Sequence, residues 1–170
     1  MHISALPLTL LLSTTAAQGW PAHHAGCSEN VVALASGIHL NINGQWAEYN
    51  GTLKIVDIES ASPVNQTDFL IAKGELLSDI QAGMNIRLFN QQMAPPGNAA
   101  IPGLAKYAAA QQTEQALAEG LTGVPSEDKK ALESLESDIM AGIKLNEKNL
   151  KKASQGCDFT LSFPPADESG

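Results

Sequence analysis

The chain has 170 residues, a formal net charge of −8, and a hydrophobic fraction of 44% in which aromatics are few, 5% of all residues. That length makes one domain with a real core, and an interior of Leu, Ile, Ala and Met favours helices over sheets. The acidic balance argues against nucleic-acid binding, which needs a basic surface to displace counterions, and against binding to anionic lipid headgroups.

The N-terminus reads as an export leader. An apolar run from Ile3 to Leu12 is followed by Ser13-Thr14-Thr15-Ala16-Ala17, a short h-region with small residues at the −3 and −1 positions of a cleavage site. Residues 1–17 are therefore expected to be a signal peptide, with Gln18 first in the mature chain. Residues 18–28 form an N-terminal linker, in which His23-His24 reads as polar linker rather than a metal ligand pair. No later apolar run is long enough to span a membrane. In an oxidising compartment Cys27 and Cys157, the chain's two cysteines, are expected to pair. Asn50-Gly51-Thr52 and Asn65-Gln66-Thr67 are acceptor sequons, so Asn50 and Asn65 are expected glycosylation sites.

From Glu29 to Tyr49, Val31, Leu34, Ile38, Ile42 and Trp46 recur at helical spacing behind a capping Ser28. Asn50-Gly51 reads as a break, and Thr52–Glu59 as a separate short helix. Thr67–Met93 carries an apolar stripe from Phe69/Leu70 through Leu76, Ile80 and Met84 to Leu88, and Pro95-Pro96-Gly97-Asn98 stops it. Pro102 opens a further helix to about Leu121. Ser126 is expected to cap the last one, with Leu132, Leu135, Ile139, Ile143 and Leu150 inward. The tail 158–170 alternates Phe159, Leu161 and Phe163 and reads as extended. The expected fold is all-α: an antiparallel bundle of four main helices plus one short helix, residues 29–157, closed by a terminal disulfide. Parity agrees, because an even number of antiparallel helices brings Cys27 and Cys157 to one rim.

Three helices share a pattern: Gly37-Ile38-His39-Leu40-Asn41, Gly83-Met84-Asn85-Ile86-Arg87 and Gly142-Ile143-Lys144-Leu145-Asn146, with Gly44, Asn90 and Asn149 seven after each glycine. Positions i, i+4 and i+7 share a helix face. Gly37, Asn41, Gly83, Arg87, Asn90, Gly142, Asn146 and Asn149 thus form a small-and-polar strip with three readings. It is a close helix–helix seam with mutually bonded amides, a solvated face, or a ligand groove. Catalytic motifs are lacking. His39 has no ligand partners at zinc spacing, and Glu114, Glu119, Glu133, Glu136 and Asp138 read as surface charges. No catalytic residue, metal or cofactor is therefore expected, and the chain reads as a non-enzyme.

The runs Ala33-Leu34-Ala35-Ser36-Gly37-Ile38, Gly83 through Gln92, Gly103-Leu104-Ala105 and Gly142-Ile143…Asn146…Asn149-Leu150, ending at Gly156-Cys157, resemble a group of small secreted proteins of filamentous fungi. The resemblance implies an effector-type protein acting outside the cell on a host protein or cell-surface component. More loosely, the chain is similar to the fungal hydrophobic-surface-binding and cell-wall galactomannoprotein family, which implies a lipid partner as the alternative. An extracellular metal-binding protein or enzyme is the third reading.

Overall fold

A computed structural model describes residues 27–157; the expected leader, most of the linker and the tail 158–170 lie outside the described residues. Four helices follow one another: α1 (Glu29–Ser60), α2 (Gln66–Met93), α3 (Ile101–Gly120) and α4 (Pro125–Ala153). Each packs on its two neighbours, α1 on α2 and α4, α3 on α2 and α4. The bundle is therefore a closed square, with α1 and α3 facing each other across its axis. Cys27 and Cys157 are disulfide-bonded at one rim with Cα atoms 5.4 Å apart, within the range the bond requires.

Local chemistry accounts for most helix ends. The Ser28 hydroxyl accepts from the Val31 amide, and Asn65 Oδ1 accepts from the amides of Thr67 and Asp68, each satisfying free donors of a first turn. Gly123 turns the chain into α4 at φ 77°, a left-handed conformation that glycine adopts without a Cβ penalty. A Cβ there would also lie 2.8 Å from the Phe69 ring. Ser126 is not the cap of α4: Pro125 already lies in the helix, and Val124 holds the capping position without a side-chain bond. Instead the carboxylate of Asp128 reaches back to the amides of Thr122 and Gly123 at 2.7–2.9 Å.

The expected break at Asn50-Gly51 does not occur, and the short helix Thr52–Glu59 is the second half of α1. Thr52 Oγ1 donates to the Glu48 carbonyl at 2.9 Å, while Thr52 and Ile55 are fully buried. Burying Ile55 is worth about 1.5–3 kcal/mol, more than the roughly 1 kcal/mol that Gly51 costs a helix. Asn50 therefore lies inside a helix, not at a junction, whereas Asn65 is exposed at the start of α2.

The hydrophobic core runs through Leu34, Ile38, Ile55, Phe69, Leu76, Ile80, Leu135 and Ile139. In α2 the buried line is Phe69, Ala72, Leu76, Ile80, Gly83 and Asn90, a period near 3.5 that suits a bundle seam. Leu70 and Leu88, expected on the stripe, fall off that line and are 64% and 50% exposed.

Candidate functional site

The small-and-polar strip lies inside the bundle. Gly37, Asn41, Gly83, Asn90, Gly142, Asn146 and Asn149 are buried, and Arg87 is partly so. Gly44, expected to extend the strip on α1, instead has open space where a Cβ would go. Asn41 Nδ2 donates to the Gly83 carbonyl at 2.8 Å. Asn146 Nδ2 donates to Asn41 Oδ1 at 3.2 Å and to Gln45 Oε1 at 2.9 Å, and Asn149 Nδ2 donates to Asn146 Oδ1. A chain of amides thus ties α1, α2 and α4 together and offsets part of the cost of burying them, while Gln45 Nε2, Asn90 Oδ1, Gln111 Nε2 and Asn149 Oδ1 have no hydrogen-bond partner among the described residues.

The glycines explain how the helices admit these side chains. A Cβ on Gly37 would collide with Asn90 Oδ1, and one on Gly103 with Asn149 Oδ1. Each oxygen faces a glycine Cα, the arrangement of a weak C–H···O contact. A Cβ on Gly83 would lie 2.6 Å from Glu48 Oε1 and 3.0 Å from Gln111 Nε2. On Gly142 it would strike the Gln45 amide and sit 3.0 Å from a Tyr107 ring carbon. The glycines of α2 and α4 thus open the flanks through which side chains of α1 and α3 meet on the axis.

This arrangement exposes a repeat that reading three segments alone misses. Gly37-Asn41-Gln45-Glu48 on α1 and Gly103-Tyr107-Gln111-Glu114 on α3 share one spacing, i, i+4, i+8 and i+11. Asp79-Gly83-Arg87-Asn90 on α2 and Asp138-Gly142-Asn146-Asn149 on α4 share the same spacing, with an aspartate first and the glycine second. The hairpin α1–α2 and the hairpin α3–α4 therefore place equivalent residues about the bundle axis as a pseudo-two-fold pair. The signal was present in the sequence as the Gly-x7-Gln-x2-Glu spacing, which Gly103 begins.

Glu114, expected as a surface charge, is fully buried, and so is Glu48. Their four carboxyl oxygens lack a hydrogen-bond partner, as does the buried Tyr107 hydroxyl. Burial first, then the charges of Glu114 and Asp79, pushes the Glu48 carboxyl well above the ordinary carboxylate range. Burial and then Asp138 push Glu114 up to about 7. Asp79 is also raised, by burial and then by Glu75. Burial, then Glu48 and Glu114, raises the Tyr107 phenol. Arg87 is the guanidinium in this layer, and its Nε donates to Gln111 Oε1 at 2.8 Å and its Nη1 to Gln91 Oε1 at 3.1 Å. Among the described residues no group of three His, Cys, Asp or Glu side chains is placed to hold a metal ion.

Among the described residues a strongly apolar groove of about 480 Å³ lies over the α1–α2 seam. Ala33, Ser36, Gly37 and Leu40 form one wall; Asn85, Ile86 and Phe89 form the other. Leu40 and Phe89 are 47% and 49% exposed. By contrast Ile38, Ile80, Ile139 and Ile143, the aliphatic residues of three helices that would have to line an apolar lumen, pack into the closed core. No helix of the described residues is long and apolar enough to cross a membrane. Comparison of the chain with protein-family models, with curated proteins and with solved structures found no match.

Proposed function

We propose that this chain is a secreted, non-enzymatic interaction module of a filamentous fungus, an effector-type protein that docks a host protein through the α1–α2 groove. The observation that carries the reading is the contrast between interior and surface. The bundle axis is crossed by amides and carboxyls, which suit no acyl chain, while the apolar groove with half-exposed Leu40 and Phe89 lies outside. An open groove would leave one side of a lipid tail in water, whereas lipid sites enclose most of their ligand. A polypeptide segment presents apolar side chains on one face and its own solvated backbone on the other, and Ser36 and Asn85 offer polar contacts at the edges. Burying Leu40 and Phe89 together is worth several kcal/mol, on the order of 1.5–3 each when fully exposed and less here.

The test is deletion of the coding gene, comparing growth in culture with growth on a host, followed by complementation. Wild-type protein should restore growth on the host, and a folded Leu40→Ser/Phe89→Ser variant should not. Equal rescue by both would reject the groove as the working surface. Saturable binding of a fluorescent fatty acid to the purified protein, reversed by unlabelled fatty acid and lost in the same variant, would instead favour the lipid or hydrophobic-surface reading.

A further inference from the structure

Glu48 and Glu114 occupy equivalent places on α1 and α3, helices that share no direct backbone packing and meet only through side chains on the axis. Both are fully buried with all four oxygens unpartnered. Every element packed against them adds acid: Asp79, backed by Glu75, from α2, and Asp138 from α4. The opposing charge is Arg87, whose hydrogen bonds go to the two glutamines rather than to a carboxylate. Tyr107 brings a neutral hydroxyl to the same layer. Two carboxylates so placed cannot both be charged without a desolvation and repulsion cost that Arg87, committed to Gln111 and Gln91, only partly offsets.

We propose that Glu48 and Glu114 form a proton-dependent latch between α1 and α3: the closed bundle retains at least one proton on the pair, and losing it drives α3 off the axis. α3 is the element that yields because it is the shortest helix, 20 residues, and the disulfide cross-links the start of α1 to the end of α4 while leaving α3 held by its backbone loops and packing alone. The sign follows from the raised carboxyls. Stability is fully present below the ordinary glutamate value of 4.5 and is lost as pH rises through about 7 for Glu114, and higher for Glu48. The protein is thereby closed in acidic surroundings and loosened in neutral to alkaline ones.

Glu59 must be silenced in the test, because burial and its hydrogen bond to Asp128 also push it up to about 7. In an E59Q background the secreted chain should lose about 10 °C of Tm between pH 5 and pH 8.5. The E48Q/E114Q double variant in the same background should be flat or should rise. Amide exchange on the unmutated chain, corrected for its intrinsic pH dependence, should accelerate more over 101–120 than over the buried half of α1, which keeps the test open should the double variant not fold. A Tm that holds constant across this range, or exchange that accelerates evenly over all four helices, would overturn the latch. So would a Tm at pH 8.5 that rises with Ca²⁺ or Mg²⁺ and falls in chelator, because a cation rather than a proton would then neutralise the pair.

Discussion

Gly142 and Gly44 make opposite predictions for the same substitution. Alanine gains about 1 kcal/mol over glycine in a helix interior, and that gain is common to both sites. At Gly44 nothing lies within 4 Å of the added Cβ, so Gly44→Ala should stabilise by up to about 1 kcal/mol. At Gly142 the Cβ meets the Gln45 amide and a Tyr107 ring carbon at 3.0 Å. Neither neighbour is free to retreat, since both are fully buried and Gln45 Oε1 holds Asn146 at 2.9 Å. Overpacking costs about 1–3 kcal/mol, and the displaced hydrogen bond adds about 1 kcal/mol. Gly142→Ala should therefore be destabilised by about 1–3 kcal/mol, leaving the two variants about 2–4 kcal/mol apart. With a urea slope of about 2 kcal/mol/M, their unfolding midpoints should lie about 1–2 M apart on either side of wild type. Two midpoints that move up together would refute the claim that the glycine makes room for the polar layer.

Two further expectations are independent of that layer. Intact mass should rise by two hydrogens only after reduction, and Cys27→Ser should cost about 4–5 kcal/mol for so long a loop while far-ultraviolet dichroism still reports four helices. Asp128→Ala should cost about 2–4 kcal/mol in a denaturant melt at pH 7, because it strands the buried amide of Gly123 and the part-buried amide of Thr122. Burial opposes ionisation of Asp128, but those amide bonds outweigh it and hold its carboxyl below the ordinary 3.8. The stabilisation is therefore present above that range and lost as pH falls through the lowered value, so the penalty of Asp128→Ala should shrink in strong acid.

The sequence made the helices legible because apolar residues at period 3.6 have few other solutions, and helix parity alone brought the two cysteines to one rim. It misled at Asn50-Gly51, a turn signal that lost to the buried Thr52 and Ile55 on the following turn. Local propensity is a small term beside such burial. The strip residues could be picked out, but choosing between seam, solvated face and groove required knowing what stands opposite Gly37 and Gly83. Glu114 was unreadable as an interior group by type, since a lone glutamate on a helix is ordinarily solvated. Only its spacing from Gly103, matched to that of Glu48 from Gly37, distinguishes it. The α1–α2 groove left no sequence signature, because Leu40 and Phe89 look like core residues until their helices are placed.

The pseudo-two-fold arrangement of the hairpins bears on assembly. The α3–α4 hairpin of another copy carries the same Gly103, Gln111, Gly142 and Asn149 and would complete the layer equally well. A chain built this way is predisposed to exchange halves with its neighbour, the usual route to domain-swapped dimers. The bond from Cys27 to Cys157 joins the start of one hairpin to the end of the other within a single chain. Exchange of halves would require α1 and α4 of one chain to part, and the closed bond at their rim opposes that separation.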